Sequence, residues 1–409
     1  MDVVGKLRAR MLESRGDPEL AAQARGLAAK VALTVDENSV SLSFSEQGMS
    51  LCDTDSAAHI TLSAEEADWV SILSARPPRG YQSFTALQLV NPKVQVGGDP
   101  LLIAQARPAL ERLIDCLRDP SESPRAENAQ RDLSQIRGRY VRMAASGTVY
   151  DVYVEEAGSG TPVIFLHTAG ADSRQYGALL SDTSLTARFR LIAFDLPFHG
   201  RSMPPLEWNG GCYRLDQQTY SQWIIAFLEQ VVGESAILVG CSMGAAIALV
   251  VAGEHPGLLR GAIALEPPLR SPGRRNPYLA HACVAGGAHN GAYVHGLMSP
   301  TSPECLRRRA AWIYAQGGPG VYAGDLGFYS DEFDGHIVGP KIDTARVPVT
   351  LMTGEYDYSA TVEDGQALAA LIPGSRFVPM HGLGHFPMTE NPDLFMTFFG
   401  PALHEIARL

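Results

Sequence analysis

The sequence lacks the cysteine patterns that disulfide frameworks and zinc sites require. Its six cysteines are scattered along the chain, with no C-x-x-C pair and no fixed spacing to histidine. Isolated cysteines of this kind are typical of reduced thiols. We therefore predict neither a disulfide framework nor a metal site.

Long apolar runs and an excess of positive charge are also absent. No stretch of about 18 uninterrupted apolar residues occurs, and no apolar segment follows a basic start, so we expect neither a membrane span nor a signal peptide. The formal net charge of -11 disfavours nucleic acid and anionic membranes as partners, because both are negatively charged. We expect a cytoplasmic protein that acts on a small molecule or contacts another protein.

The length and composition indicate a globular protein of more than one domain. Apolar residues make up 45% of the 409 residues and charged residues 19%. Residues 121–138 are polar and almost free of large apolar side chains, as in a linker. We predict domains at residues 1–120 and 139–409, both of ordinary domain size.

The pattern of residues 1–120 predicts a small α+β domain. Alternating apolar and polar residues at 31–51 predict a hairpin or meander, and residues 59–64 predict a strand that leads into a helix near Glu65. Apolar residues at helical spacing predict a final helix at 100–117.

This front region resembles the sterol-carrier-protein-2-like family over roughly 90 residues. Residues 60–74 and 91–114 carry the resemblance, with a strand, a helix, a Gly-Asp turn and a final helix in the family's order. Known members bind apolar ligands in a tunnel, so the resemblance implies a lipid-like or aromatic ligand. A module for packing or homodimer formation, attached to an enzyme, is the alternative.

Residues 139–409 predict a parallel sheet with crossover helices, because short apolar runs alternate with helix-like segments. The predicted strands are residues 149–157, 162–167, 189–195, 235–240, 261–266, 347–354 and 375–380. About 80 residues rich in Gly, Pro, Tyr and His separate the fifth from the sixth, and so long an interruption indicates a lid. We place this lid at about residues 270–343.

A serine lies at a predicted strand-to-helix turn. Ser242 stands between Gly240 and Gly244 in the sequence G-C-S-M-G, after one apolar run and before another. The G-x-S-x-G nucleophile elbow requires this context, since its tight turn needs small residues and holds the serine in a strained conformation. We predict that Ser242 is a nucleophile.

A serine nucleophile needs a histidine base and a carboxylate that orients the histidine. His385 lies on the loop before the last predicted helix, and His381, four residues earlier, is the alternative base. Asp357 follows the preceding strand, in the chain order Ser, Asp, His. Glu266, which ends the strand after the serine, is the alternative acid, and the choice stays open here.

An oxyanion hole needs two backbone N–H groups aimed at the developing negative charge. We assign one to Met243, directly after the serine, and the other to Ala169, on the loop after the strand 162–167. Thr168 stands where a glycine is usual in such loops. In the segment F-D-L-P-F-H-G-R-S, Phe198 also replaces a glycine, and His199 is predicted to be structural.

Together these motifs make residues 139–409 resemble the α/β-hydrolase superfamily. The resemblance implies the α/β-hydrolase fold, an acyl-enzyme mechanism without a cofactor, and hydrolysis of a carboxylic ester or lactone. Serine at position 242, rather than aspartate or cysteine, argues against epoxide hydrolases, dehalogenases and dienelactone-type thiol enzymes. The G-C-S elbow, the H-F-P sequence and the position of Glu266 also look like lactonases that act on resorcylic lactones.

Two other functions remain open at this point. A carbon–carbon bond hydrolase acting on an aromatic-derived diketone would use the same three side chains under an aromatic lid. A non-catalytic protein that binds apolar ligands would need no nucleophile, so the complete Ser-His-acid set argues against it.

The predicted lid carries aromatic and histidine side chains, which stack on flat rings and donate single hydrogen bonds. We predict substrate contacts from these lid residues: His281, His289, Trp312, Tyr314 and Tyr322. His295 and Tyr329 belong to the same set of residue types. The pattern favours an apolar or aromatic substrate, although the same side chains could simply pack the lid onto the sheet.

Overall fold

The computed structural model describes residues 2–52, 57–119 and 130–408, which form two β-sheets with separate hydrophobic cores. Residues 121–129 of the predicted linker lie outside the described residues. The last two residues of that linker, Arg137 and Gly138, begin a strand.

Residues 2–119, which we call the N-terminal unit, contain a five-stranded sheet and helices. Its strands are β1 (Ala29–Val35), β2 (Asn38–Ser45), β3 (Gly48–Cys52), β4 (Ile60–Ala64) and β5 (Gln95–Gly98). Its helices are α1 (Val3–Ser14), α2 (Pro18–Gln23), α3 (Glu66–Ile72), α4 (Phe84–Leu89) and α5 (Pro100–Cys116). The strand order is β3-β2-β1-β4-β5, with β1 and β4 parallel and the other neighbours antiparallel.

Local sequence signals account for the main elements of this unit. Alternating residues produce the β1–β2–β3 meander, in which β2 buries Val40 and Leu42. Helix α5 begins where Pro100 occupies the first turn and the side chain of Asp99 accepts a hydrogen bond from the N–H of Leu101. Trp69 is fully buried beneath the sheet, and its Nε1 donates to the Thr34 carbonyl at 2.8 Å.

Residues 137–406 form an eight-stranded sheet flanked by helices. The strands are β6 (Arg137–Ala145), β7 (Thr148–Gly158), β8 (Thr161–Leu166), β9 (Phe189–Phe194), β10 (Ala236–Cys241), β11 (Leu259–Leu265), β12 (Val349–Gly354) and β13 (Arg376–Met380). The helices are α6 (Gly177–Leu180), α7 (Thr183–Thr186), α8 (Gln217–Phe227), α9 (Met243–Glu254), α10 (Gly286–Gly296), α11 (Glu304–Ala315), α12 (Val321–Leu326), α13 (Gly335–Val338), α14 (Val362–Ala370), α15 (Pro387–Glu390) and α16 (Pro392–Ile406).

The order of this sheet is β13-β12-β11-β10-β8-β9-β7-β6. Strands β8 to β13 are mutually parallel, as the buried apolar runs predict, whereas β7 and β6 pair antiparallel at one edge. Strand β6 was not predicted, because its charged residues face solvent and its sequence has no apolar run. Among the described helices, none is both long and apolar enough to cross a membrane.

Helices α10 to α13 lie between β11 and β12, within the predicted lid, and α10 packs against α5 of the N-terminal unit. Hydrogen bonds continue this contact. Ser83 Oγ donates to the Gly296 carbonyl at 2.8 Å, and Gln82 Nε2 donates to the Tyr356 carbonyl at 3.1 Å. We call the contact of the N-terminal unit with the lid, together with the adjacent contact to Tyr356, the junction.

Asp115 is the centre of a charged cluster at the junction. Its carboxylate accepts from Arg118 Nη1 at 3.0 Å, His295 Nε2 at 2.8 Å and Arg307 Nη1 at 3.2 Å. Burial by itself would raise the pKa of Asp115, but the nearby Arg307 and His295 hold the pKa well below its ordinary value. The cluster thus fastens the end of α5 to the lid through an ionised, nearly buried carboxylate.

Candidate active site

The carboxyl ends of the parallel strands bring the predicted catalytic residues to one edge of the sheet. Ala169 follows β8, Ser242 follows β10, Glu266 follows β11, Asp357 follows β12 and His385 follows β13. This edge is where open α/β sheets bind their ligands. All five residues are buried, with at most 5% of their surface exposed.

Ser242 occupies a strained turn between β10 and α9. Its φ of 55° and ψ of -113° are unusual for a residue with a side chain. Glycine is required on both sides, because a Cβ on Gly240 would lie 2.0 Å from the Gly244 carbonyl oxygen, and a Cβ on Gly244 would lie 2.4 Å from the Leu166 oxygen. The turn presents the serine at the amino end of α9.

His385 and Asp357 form a buried pair. His385 Nδ1 donates to Asp357 Oδ2 at 2.6 Å, and the N–H groups of Ser359 and Ala360 donate to Asp357 Oδ1 at 2.7 and 3.2 Å. Burial would raise the pKa of Asp357, but the facing His385 and these donors lower it below its ordinary value. Asp357 is therefore ionised and leaves Nε2 of His385 directed away from it.

Glu266 lies behind this pair. Its φ is 50°, and its two carboxyl oxygens accept from the Gly354 N–H at 3.1 and 2.9 Å. Burial, and then the charge of Asp357, raise the pKa of Glu266 well above its ordinary value. No hydrogen bond joins Glu266 to His385 in the described part of the chain.

Glu266, Asp357 and His385 also place three potential metal-ligand atoms within 4.8 Å of one another. The direct 2.6 Å hydrogen bond between His385 and Asp357 leaves no room for an ion between those two atoms. The raised pKa of Glu266 also disfavours metal binding, since metals bind the deprotonated carboxylate. The cluster therefore suits proton chemistry better than metal binding.

Two buried N–H groups flank the serine. Met243 N–H lies in the first turn of α9, where a helix has no internal acceptor for it, and Ala169 N–H belongs to the loop after β8. Neither has a hydrogen-bond partner among the described residues. Thr168, despite replacing a glycine, does not have a positive φ, so the loop needs no glycine there. Both N–H groups remain available to a negatively charged oxygen.

Asp325, on helix α12 of the lid, binds the loop that carries Ala169. The Gly170 N–H donates to Asp325 Oδ2 at 2.7 Å, His199 Nε2 donates to the same oxygen at 2.8 Å, and the Tyr213 hydroxyl donates to Oδ1 at 2.9 Å. Burial would lower the pKa of His199, but Asp325 raises it above its ordinary value. His199 thus lies in a supporting network rather than beside Ser242.

The cavity over Ser242 is small. It holds about 10 Å3 of free space, roughly the room that one water molecule needs. The lining residues are Thr168, Ala169, Ser242, Arg274, Leu297, Tyr314, Tyr322, Leu326, Tyr329, His385 and Phe386. Ser242 and His385 both line it, but no direct hydrogen bond joins their side chains in the described residues.

Of the predicted lid contacts, the structure places two in this cavity. Tyr314 and Tyr322 line it, and the Tyr314 hydroxyl is hydrogen-bonded to Thr168 Oγ1. Trp312 is 64% exposed because it lies two positions before Tyr314 on α11, about 200° around the helix. Its predicted substrate contact therefore lies outside the lining of this cavity and stays a prediction.

The two predicted histidine contacts also lie outside the lining of this cavity. His289 is buried with its ring 6.3 Å from that of Tyr293, and burial together with the charge of Arg107 lowers its pKa to about 4. His281 is partly buried, and its Nδ1 accepts from the Cys283 N–H at 3.1 Å. Both side chains are used in local packing of the lid. The alternative base His381 is 79% exposed at its side chain and contacts Glu355 at 3.7 Å.

Sequence reasoning missed Arg274 and Glu390. Arg274 lies in a loop rich in Gly, Pro and Arg that carried no motif signal, yet it lines the cavity. Glu390 is fully buried and accepts from the N–H groups of Ser299, at 2.8 Å, and Gly384. It therefore supports the loop that carries His385. Tyr329 was noted only as a lid aromatic, but its hydroxyl faces Ser242.

A family model described as "Alpha/beta hydrolase family" matches residues 163–397. Among curated proteins, the chain is 30% identical over 156 residues to the dihydrolipoyllysine-residue acetyltransferase component of the acetoin cleaving system of Pseudomonas putida, a match that covers 38% of this chain and 36% of that protein. The chain spans between 36% and 41% of the length of the curated relatives reported in this comparison.

Solved structures share the fold of the C-terminal part. A thermophilic esterase from Thermogutta terrifontis superimposes with a TM-score of 0.55 and 20% identity, over 66% of this chain and 99% of the esterase. The enol-lactonase from Burkholderia xenovorans superimposes with a TM-score of 0.56 and 19% identity, over 65% of this chain and 100% of the lactonase. At these identities the likeness establishes the fold.

Proposed function

This chain belongs to the alpha/beta hydrolase family, and we propose that it is a serine hydrolase of carboxylic esters or lactones. The observation that carries the proposal is the buried His385–Asp357 hydrogen bond of 2.6 Å beside a serine held on a strained turn. Such a serine needs a base that is itself oriented by a carboxylate.

In the proposed reaction, Ser242 Oγ attacks the carbonyl carbon of the substrate while its proton passes to His385 Nε2. Asp357 stabilises the imidazolium through Nδ1, and the N–H groups of Ala169 and Met243 bind the oxyanion. His385 then protonates the departing alcohol oxygen, leaving an acyl-serine. A water molecule, deprotonated by His385, attacks the acyl carbon and releases the acid and the free serine.

We assign the acid role to Asp357 rather than Glu266. An ionised carboxylate in direct contact with Nδ1 stabilises the imidazolium, whereas Glu266 makes no hydrogen bond to His385 among the described residues and its raised pKa disfavours the ionised form. Glu266 instead lies behind Asp357. The charge of Asp357 helps to raise the pKa of Glu266, and a hydrogen bond from Glu266 helps to lower the pKa of Asp357.

The substrate is proposed to present an apolar or aromatic group to the lid. Leu297, Leu326 and Phe386 line the cavity beside its tyrosines, and these side chains favour apolar surface. Because the cavity has room for about one water molecule, any ester requires lid side chains to move before it reaches Ser242.

We propose that the N-terminal unit serves as a platform for the lid. Helix α5 packs against α10, and the Asp115 cluster and Gln105 Nε2, which donates to the Cys283 carbonyl at 2.9 Å, add polar contacts. These contacts favour the packing module over the ligand tunnel that the sterol-carrier-protein-2-like resemblance also allows.

The proposal is tested with p-nitrophenyl esters, a vinylogous diketone and a fluorophosphonate probe. Ester hydrolysis and probe labelling should occur in the wild type, and Ser242→Ala should abolish labelling and reduce kcat by about 10⁴- to 10⁶-fold. Ser221→Ala is the matched control, since Ser221 is buried on α8, outside the site. Cleavage of the diketone without ester hydrolysis would overturn the proposal, as would ester hydrolysis that survives in Ser242→Ala.

A further inference from the structure

The cavity over Ser242 contains a cation without a carboxylate partner. Arg274 lines this cavity, and its Nε is buried and has no hydrogen-bond partner among the described residues. No ion pair joins its guanidinium to an acidic side chain in that part of the chain. Burying an unpaired charge is costly, so the arrangement calls for an explanation.

Neighbouring arginines on the same segment are paired. Arg270 Nε lies 3.4 Å from Asp334 Oδ2, and Arg275 Nη1 lies 2.7 Å from Asp331 Oδ2. Both of these arginines are exposed, whereas Arg274 points into the molecule. The acidic residues of this surface therefore serve the outward-facing arginines, and none is placed to neutralise the inward-facing one.

Tyrosines surround the Arg274 guanidinium but do not neutralise it. Its carbon lies 5.5 Å from the centre of the Tyr293 ring, a distance at which a cation is attracted to the ring face. Burial raises the pKa of Tyr322 to about 12 and raises the pKa values of Tyr329 and Tyr358 above their ordinary value. These hydroxyls are neutral at pH 7, and Arg274 keeps its charge.

We propose that Arg274 binds a carboxylate of the substrate, so that the substrates are esters or lactones with a free carboxylate close to the scissile carbonyl. This inference rests on the proposed function. A guanidinium fork matches the two oxygens of a carboxylate and pairs with it bidentately. One carboxylate also balances the single positive charge, whereas a phosphate monoester would bring a charge of about -2 into the cavity.

The geometry also places this charge beside the reaction. Arg274, Ser242 and Tyr322 line the same small cavity, so a group bound at Arg274 is within a few bonds of the serine. Binding energy from such a remote group can align the carbonyl with the nucleophile and the oxyanion donors. The carboxylate would therefore select substrates and position them at the same time.

The test compares mono-p-nitrophenyl glutarate with p-nitrophenyl pentanoate, which differ by the terminal carboxylate. Spontaneous hydrolysis, which the carboxylate accelerates, is measured in the Ser242→Ala protein and subtracted. We expect the wild type to favour the glutarate ester by roughly 10- to 100-fold in kcat/KM, chiefly through KM. In Arg274→Gln this ratio should fall to about one.

Arg275→Gln is the matched control, because it removes the same charge from the adjacent position and should keep the preference. Arg274→Lys, which keeps the charge but loses the planar fork, should give an intermediate ratio. If the fluorophosphonate probe does not label Arg274→Gln, this variant has lost its active site and cannot be used. The test then rests on the ratio of kcat/KM for the two esters in the wild type and in Arg274→Lys. An ester with a phosphonate in place of the carboxylate should be the poorer substrate.

The possible failures are distinguishable. If the wild type hydrolyses the pentanoate and the glutarate with equal kcat/KM, or if Arg274→Gln keeps the preference for the glutarate, the role of Arg274 is overturned. The proposed serine hydrolase function is not affected by either result. Faster hydrolysis of the phosphonate ester overturns the choice of carboxylate. A wild type that hydrolyses no ester and does not react with the probe overturns the proposed function.

Discussion

Arginines at the junction form ion pairs with acidic side chains, whereas the arginine in the cavity over Ser242 forms none among the described residues. At the junction, Arg112 contacts Asp17 and Glu304, and Arg118 and Arg307 both contact Asp115. In the cavity, Arg274 has aromatic neighbours and no acidic partner among the described residues. Paired arginines hold two parts of the chain together, whereas we propose that the unpaired arginine near Ser242 binds a ligand.

Buried carboxyl groups show the same contrast. Asp115 has cations on several sides and is ionised, whereas Glu266 and Glu390 accept backbone N–H groups, form no ion pair among the described residues and have raised pKa values. Burial is similar in the three cases, so the partners decide the charge. Asp357 owes its ionised state to His385 in the same way.

The largest predicted effect separates the two acids of the site. Asp357→Asn should lower kcat by about 10⁴-fold, because the amide cannot stabilise the imidazolium and favours the wrong tautomer of His385. Glu266→Gln should retain most activity, since Asp357 and not Glu266 contacts His385, and the raised pKa of Glu266 favours its neutral form. Steady-state kinetics on one p-nitrophenyl ester measures both. A greater loss in Glu266→Gln would exchange the two roles.

The second prediction concerns stability at the junction. Asp115→Ala should lower the free energy of unfolding by about 3–5 kcal/mol, because Arg118, His295 and Arg307 lose a shared carboxylate. Urea unfolding followed by circular dichroism measures the change. Asp151→Ala, which removes an exposed partner of Arg142, is the control and should leave the midpoint unchanged.

The preference for the glutarate ester should survive in Asp115→Ala at a temperature where the protein remains folded. Loss of that preference without loss of stability would mean that the junction contributes directly to substrate recognition, and the contrast between the two regions would fail.

The third prediction is a pH dependence of stability. Burial raises the pKa of Glu390 to about 8, compared with about 4.3 when unfolded. The native state therefore holds a proton that the unfolded state has lost, and this contribution is complete below about pH 4.3 and declines as the pH rises towards 8.

Relative to Glu390→Gln, the wild type should lose up to about 1.4 kcal/mol per pH unit between about pH 5 and 8. Urea unfolding of both proteins across this range gives the two slopes, and equal slopes would contradict the assigned charge state. The contribution of Asp115 to stability depends on pH in the opposite direction. Its lowered pKa stabilises the protein above about pH 3.9, and this stabilisation is lost as the pH falls.

The smallest predicted effect distinguishes the two faces of α11. Trp312→Ala should change kcat/KM by less than about twofold, because the side chain is 64% exposed and does not line the cavity. Tyr314→Phe removes a hydroxyl that contacts Thr168 beside the oxyanion loop and should have the larger effect. Steady-state kinetics of both variants on the same ester measures the two effects. A larger loss in Trp312→Ala than in Tyr314→Phe would support Trp312 as a substrate contact.

The sheet and the approach of Ser242, Asp357 and His385 to one edge were predictable because they depend on local patterns. Buried parallel strands are continuous apolar runs, and residues that follow such strands meet at one edge. The choice between Asp357 and Glu266 was not predictable, since both follow neighbouring strands and only the contact distance to His385 separates them.

The lid was poorly predicted because its residue types do not reveal their direction. Trp312 and Tyr314 are equivalent in the sequence, and the orientation of α11 alone puts one outside and the other in the cavity. Arg274 and Arg275 are adjacent and identical, yet they point to opposite sides of the surface. Direction in such segments is set by contacts distant in sequence.

The charged character of the junction also has a consequence during synthesis. Helix α5 ends at Cys116, and α10 begins at Gly286, so 285 − 116 = 169 residues are made between them. At about 5–20 residues per second, synthesis of this segment takes roughly 8–34 s. During this time the side of α5 that contacts the lid is not covered by α10. Arg112 already has Asp17, and Asp115 already has Arg118, so the nascent chain presents a hydrated, charged surface that resists aggregation while the lid is still on the ribosome.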